Sequence, residues 1–331
     1  TGYVLCYPCG AIMATALVEI VDADGVTGGA VAASPTLDSE ALFERFIRYL
    51  DAKPKTVETY TRDLRQFFAY LALHGVTRPT RDDVLAYRRD LSLAHKPTTV
   101  QGYITAVRLF FNWTAQEGLY PNIAEKIKGA RLDKAHKRDH LTVAQVKAVL
   151  DAIDWSTETG ARDYAMIALM VNCGLRTIEV ARANIGDLRP LGNETALYVQ
   201  GKGRDEKTEY VKVSHPVENA VYQYLKKRGA SSPDMPLFAS KSNNSNGKRL
   251  TTRTVSGIVK NALRKAGYDS TRLTAHSLRH SAITLALIAG KDITEVQQFA
   301  RHSNINTTMI YNHSLEKAKN SCGEAIAKAI F

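Results

Sequence analysis

His276 and Arg279 stand three residues apart in Ala275-His276-Ser277-Leu278-Arg279-His280. That spacing puts both side chains on one face of a helix, within reach of a single ligand. His302 follows Arg279 by 23 residues, in Ala300-Arg301-His302-Ser303, and Tyr311 follows His302 by 9, in Met309-Ile310-Tyr311. A guanidinium, two imidazoles and a phenol in that order suit a phosphate and an attacking oxygen. Arg176, in Cys173-Gly174-Leu175-Arg176-Thr177-Ile178-Glu179, and Lys202, in Gln200-Gly201-Lys202-Gly203, add positive charge. A phosphodiester repels nucleophiles through its own charge and gathers more on its non-bridging oxygens in the transition state, so positioned cations are the direct remedy. Guanidinium forks donate bidentately to phosphate and stay protonated.

In order and spacing these residues resemble the active site of the tyrosine recombinases, the phage-integrase and Xer-like site-specific DNA recombinases. The resemblance covers roughly Thr36 to the C-terminus. It implies that Tyr311 attacks a DNA phosphate, leaving a 3′-phosphotyrosyl link and a free 5′-hydroxyl. The bond energy is then stored covalently and religation needs no ATP; no P-loop occurs in the sequence. Arg176 and Arg279 would hold the phosphate. Lys202 resembles the β-hairpin lysine that protonates the departing 5′-oxygen, with Lys207 the runner-up on the same hairpin. His276 would accept the tyrosine proton or hydrogen-bond the phosphate, and His302 would contact a non-bridging oxygen. Glu179, one turn beyond Arg176, would orient the basic side chains. His280 and His313 match no catalytic element and are read as structural. No cofactor and no metal are expected, and no paired carboxylates stand near the histidines.

The implied partner is duplex DNA, bound at recombination sites by a synaptic homo-tetramer that exchanges strands through a Holliday junction. A type IB topoisomerase is the alternative enzyme class, but there the histidine of the His-x-x-Arg pair is typically lysine. A catalytically silent DNA-binding protein on the same fold is the other alternative, disfavoured because all six catalytic positions carry the expected residue types.

Composition agrees with a polyanionic partner. The 331 residues carry a formal charge of +11, which favours nucleic acid over neutral ligands. The charge is uneven. Residues 1–35 contain no Lys or Arg and three acids, leaving 44 basic against 30 acidic residues in the rest. No apolar run reaches the ~18–20 residues of a membrane span, and the N-terminus lacks the basic region of a secretory signal. With four cysteines, the Cys6–Cys9 pair has no partner pair to complete a zinc site, and Cys173 reads as a buried thiol in an apolar run. A cytoplasmic location is expected.

The elements that must position the site fall into an expected order. Residues 1–35, Gly/Ala-rich and acidic, read as a flexible or accessory segment in which Met13 could be a natural start; they are too short and acidic for a basic DNA-binding arm. From 36 to 128 the apolar spacing is helical throughout, predicting a four-helix core-binding domain. Thr56 is expected to cap its second helix, Thr80 its third, and Pro97 to open its fourth. The aromatic residues recur at helical spacing and predict core rather than base-stacking platforms. Candidate DNA contacts are Thr56, Thr59, Arg62 and Arg65 on one helix, and Lys96, Thr98 and Thr99 at the start of another.

Residues 129–140 read as a basic linker, with Arg131, Lys134, Lys137 and Arg138 available to DNA phosphates. Residues 141–331 read as an α+β catalytic domain: helices carrying Val143 to Leu150, then over Arg162–Cys173, Val217–Arg228, Thr254–Lys265, His276–Ala289 and Ile293–Ala300, around a small antiparallel sheet with strands at Thr195–Gln200 and Thr208–Val213. The fold class is therefore mainly α with a small antiparallel sheet. At the end, Ala325, Ile326, Ala329 and Ile330 make a narrow apolar face on a short helix, with Gly323 as a break before it. A helix that short must dock on something: its own domain is one alternative, and the resemblance implies exchange into a neighbouring protomer.

Overall fold

A computed structural model describes residues 39–131, 139–201, 206–319 and 321–331. The chain divides between residues 134 and 135 into two compact units.

The described residues of the first unit form four helices: α1 (Ser39–Tyr49), α2 (Pro54–Leu73), α3 (Arg81–Ala94) and α4 (Pro97–Gln116). Pro54 and Pro97 stand in the first turns of α2 and α4, where a missing N–H costs nothing. Thr56 does not cap α2. Lys53 holds that position with extended backbone and Thr56 lies inside the first turn. The fixed φ of Pro54 starts the helix two residues before the hydroxyl that looked like its cap. Thr80 does precede α3, its backbone N–H donating to Asp83 Oδ2 at 2.7 Å.

The core of this unit is aromatic. Phe46, Phe67, Phe68, Phe110 and Phe111 are fully buried and Trp113 nearly so. Phe110 meets both Phe46 and Phe68 edge-on at 5.2 Å. Such pairs contribute about 0.5–1.5 kcal/mol each beyond their area, so the helical aromatic stripes are packing.

The second unit begins where Leu141 N–H donates to Ser281 Oγ at 2.7 Å. Its elements are α5 (Val143–Asp151), α6 (Glu158–Asn172), α7 (Thr177–Arg182), a 3-10 turn (Ile185–Asp187), β1 (Leu188–Leu191), β2 (Glu194–Val199), β3 (Glu209–Val213), α8 (His215–Arg228), α9 (Thr252–Lys265), α10 (Ala275–Ile288), α11 (Ile293–Ala300), α12 (Asn306–Lys319) and α13 (Cys322–Ile330). The sheet is antiparallel in the order β1-β2-β3, with Leu197 opposite both Leu188 and Val211.

Helix α6 is the centre of the core. Ala165, Met166, Ile167, Leu169 and Met170 are all fully buried on it, and such all-round burial marks an interior helix. It ends at Gly174, whose φ of +57° only glycine adopts without strain. There Leu175 N–H returns to Met170 C=O at 3.1 Å and closes the helix end.

Three elements lay outside the sequence expectations: short α7, strand β1, and α12, which carries Tyr311. One expected break is corrected. Gly323 lies within the first turn of α13, and Ser321 precedes the helix instead; glycine in a first turn is tolerated, so it did not mark an end. No described helix is long and apolar enough to cross a membrane.

Candidate active site

The site is assembled at two helix ends. Arg176 stands at the N-terminus of α7, and Glu179, three residues on, accepts from its backbone N–H at 2.8 Å and from its Nη1 at 2.8 Å. The local sequence therefore fixes both ends of the arginine against one carboxylate. The other end is the turn after α11. Arg301 takes a left-handed conformation there, φ 54°, unusual for a residue with a Cβ.

Arg301 was not singled out from the sequence, yet it is the most heavily bonded side chain of the site. Its Nη2 donates to Glu179 Oε2 at 2.8 Å and to Gly174 C=O at 3.2 Å, and its Nη1 to Phe299 C=O at 2.9 Å. Its Nε is buried with no hydrogen-bond partner among the described residues. Arg176 Nη2 reaches the carbonyl of Arg301 itself at 3.1 Å. Burial alone would raise the Glu179 carboxyl; the Arg301 charge, then the bonds and charge of Arg176, outweigh it and hold the group below the usual carboxylate range.

Arg279, from the first turns of α10, is 1% exposed. Its Nη1 donates to Gly174 C=O at 2.6 Å, and its Nη2 to the carbonyl of Ala300. Burial first, then repulsion from Arg176 and Arg301, push its guanidinium down to about 9, so it remains charged at neutral pH. Three arginines are thus gathered around one helix end and one turn, with a single buried carboxylate among them. Such an excess of fixed positive charge suits an anion.

His302 follows directly, its Nδ1 2.9 Å from Thr308 Oγ1. Burial, then Arg279, Arg176 and Arg301, bring its imidazole down to about 4, so it is neutral near pH 7. Tyr311 lies on α12 with its ring 6.3 Å from that of His302 and nearly parallel to it. Its ring packs with Ile283, Val296 and Ala300. Burial pushes its phenol up to about 12, against the opposing pull of Arg279 and Arg176.

The hydroxyl of Tyr311 is hydrogen-bonded to Nδ1 of His280, the histidine that the sequence reading set aside as structural. His276, one turn earlier on α10, is exposed, with its ring edge-on to His280 at 4.6 Å. The signal was present: His280 follows His276 by four, which places it on the same helix face.

Arg176, Glu179, Arg279, His302 and Tyr311 are linked within this cluster, and His276 joins it through His280. Lys202 lies outside the described residues. Lys207, the runner-up, pairs with Asp187 Oδ2 at 2.5 Å. Among the described residues no group of three or more His, Cys, Asp or Glu side chains is placed to hold a metal.

Of the candidate DNA contacts, Thr56, Arg62, Arg65, Lys96, Thr98, Thr99 and Arg131 are exposed. The Thr59 hydroxyl donates to Lys55 C=O at 2.9 Å. Arg62 donates twice to the buried Asp63 through Nε and Nη2, and Arg65 lies over the Phe43 ring at 5.9 Å. Lys134, Lys137 and Arg138 lie outside the described residues.

Comparison with known proteins is consistent with this cluster. The family model described as "Phage integrase family" matches residues 139–318, and "Phage integrase, N-terminal SAM-like domain" matches residues 43–118. A tyrosine recombinase XerC of Caldanaerobacter subterraneus is 35% identical over 195 residues, covering 58% of this chain and 52% of that protein, so the match spans about half of that relative. A tyrosine recombinase of Synechococcus elongatus is 28% identical over 297 residues, covering 84% of this chain and 90% of the relative.

Among solved structures, the XerH site-specific recombinase bound to palindromic difH substrate superposes with a TM-score of 0.68 at 22% identity, covering 86% of this chain and 84% of that one. Lambda integrase (75-356), a dimer bound to a core site, gives 0.63 at 17%, covering 81% and 96%. These structural likenesses concern the fold.

Proposed function

This chain belongs to the phage integrase family, and from that premise we propose that it is a site-specific tyrosine recombinase that cuts and rejoins duplex DNA through a 3′-phosphotyrosyl intermediate. The observation that carries the reading is the convergence of Arg176 and Arg279 on one turn, beside the phenol of Tyr311. Arg279 and Gly174 are 105 residues apart in sequence and bonded at 2.6 Å, and both guanidiniums act on the phenol's ionisation.

In this reading Arg176 and Arg279 neutralise the scissile phosphate, and His302, neutral, hydrogen-bonds a non-bridging oxygen. A fixed array of donors lowers the barrier because it needs no reorganisation as charge develops. Tyr311 attacks phosphorus; Lys202 protonates the leaving 5′-oxygen; His276 contacts the phosphate. Glu179 orients Arg176. The partner is a pair of DNA sites held by four protomers, with strands exchanged two at a time through a Holliday junction. The relatives solved with DNA support a DNA partner.

Assembly through the terminal helix is part of the same proposal. In the single chain Ile326, Ile330 and Phe331 are 58%, 68% and 102% exposed, and two uncovered apolar side chains on nine residues of helix, with a third directly after it, suit a neighbouring protomer.

The test is a nicked DNA substrate that traps the covalent intermediate. Tyr311→Phe should bind the same DNA with unchanged affinity and form no adduct, because it loses only the phenolic oxygen. An adduct that persists in the variant would place the nucleophile elsewhere.

A further inference from the structure

We propose that His280 is the group that takes the proton from Tyr311 as its phenol becomes the attacking oxygen. The proposal deepens the reading of Tyr311 as nucleophile and rests on it. Geometry carries it: the Tyr311 hydroxyl is hydrogen-bonded to His280 Nδ1, the rings lie 5.2 Å apart, and the residues are 7% and 5% exposed. A proton acceptor has to come within hydrogen-bond reach of the proton it removes, and His280 Nδ1 is already there. In a neutral imidazole with its proton on Nε2, the Nδ1 lone pair faces the phenolic O–H.

The other imidazoles are less suited. His302 has its Nδ1 engaged with Thr308 Oγ1 at 2.9 Å and, with its value brought down to about 4, is a weak base. His276 is exposed and meets His280 edge-on, and in the recombinase reading it contacts the phosphate. A phenol held near 12 supplies almost no phenolate at neutral pH, so attack requires the proton to leave as the new bond forms.

The step balances as follows. The Tyr311 O–H bond breaks and its proton passes to His280 Nδ1. The freed electron pair forms the bond to phosphorus. The bond from phosphorus to the 5′-oxygen breaks, and that oxygen takes a proton from the general acid assigned to Lys202. Religation runs the same transfers backwards, with His280 returning its proton to the phenol.

Against His280 stand His276, edge-on from the same helix, and Tyr311 on α12; Arg279 and Arg176 act on the Tyr311 phenol, and His302 lies nearly parallel to its ring at 6.3 Å. The experiment measures adduct formation against pH on nicked DNA carrying the recombination site mapped at the flanks of the encoding locus. His280→Asn keeps an acceptor oxygen near the place of Nδ1 but cannot carry a proton. It should bind DNA normally, form adduct about 10²-fold more slowly at neutral pH, and lose the rise in rate with pH that the native chain shows. Placing a fluorinated tyrosine, whose phenol ionises more readily, at position 311 should restore much of that loss.

An unchanged rate and profile in His280→Asn would overturn the proposal, as would a loss that the fluorinated tyrosine does not relieve, since that marks a purely structural role. Should His280→Asn fail to fold, the fluorinated tyrosine in the otherwise native chain decides. With His280 as acceptor the rise falls at the same pH for both phenols; a rise that moves with the acidity of the phenol would overturn it. Absence of adduct in the unsubstituted protein would instead bring down the recombinase reading itself, and this proposal with it.

Discussion

Glu179 and Arg301 form a buried ion pair, 2.8 Å between Oε2 and Nη2, with side chains 0% and 4% exposed. The same carboxylate holds Arg176, so one acid steadies two of the three site arginines. Breaking such a pair leaves an uncompensated buried charge, at a cost of about 3–5 kcal/mol. Arg301→Ala leaves Arg176 paired with Glu179, so it should lower the unfolding free energy by less than that amount, read by denaturant titration. Glu179 sits below its unfolded value in the folded chain, so its contribution is full above the unfolded pKa and is lost as pH falls through the folded one. Glu179→Gln should remove that acid-side loss; an unaltered acid limb would refute the pairing as a source of stability.

Lys202→Ala should slow cleavage of ordinary DNA far more than cleavage of a substrate with sulfur at the 5′-bridging position. Sulfur departs without a proton, so a general acid becomes dispensable. Equal losses on both substrates would move the acid role elsewhere, and Lys207 would be tested next, although its pairing with Asp187 must then break.

His302 should take up no proton until about pH 4, against about 6.5 for an unperturbed imidazole. Between those values the unfolded chain binds the extra proton. The contribution of His302 to stability is thus full above the unfolded value and declines as pH falls through that window. NMR titration of its ring protons gives the folded value directly. A midpoint near 6.5 would contradict the burial and the arginine field around it.

Deleting residues 322–331 should leave single-site DNA binding nearly unchanged and weaken both tetramer formation and strand exchange. Gel shifts on one-site and two-site DNA separate the two effects. Normal pairing of two sites by the truncated protein would refute exchange of the helix, and loss of one-site binding would show that it docks on its own domain.

Much of this site was legible from spacing alone, because a helix face and a fixed order of cation, imidazole and phenol survive in one dimension. Helix α11 was expected at Ile293–Ala300 and is found there, since its apolar spacing and terminal turn are local. Arg301 was not legible. Nothing in Ala300-Arg301-His302 signals a left-handed arginine, and its bond to Glu179 spans 122 residues. His280 was overlooked for a related reason: its partner Tyr311 lies 31 residues on, within a helix that the periodicity did not reveal. The start of α2 was misplaced because proline geometry outweighed a hydroxyl cap.

The Gly174 carbonyl oxygen has a consequence of its own. It receives a bond from Arg279 and another from Arg301, so two of the three guanidiniums are registered by one peptide group. Mutagenesis that exchanges side chains one at a time is blind to that oxygen, since every amino acid supplies it. Replacing Gly174 would rotate it only by forcing a Cβ to within 3.1 Å of the Phe299 ring, and the resulting defect would look like a packing fault. Charge placement in this protein is therefore partly written in main chain, where a catalogue of essential residues does not reach.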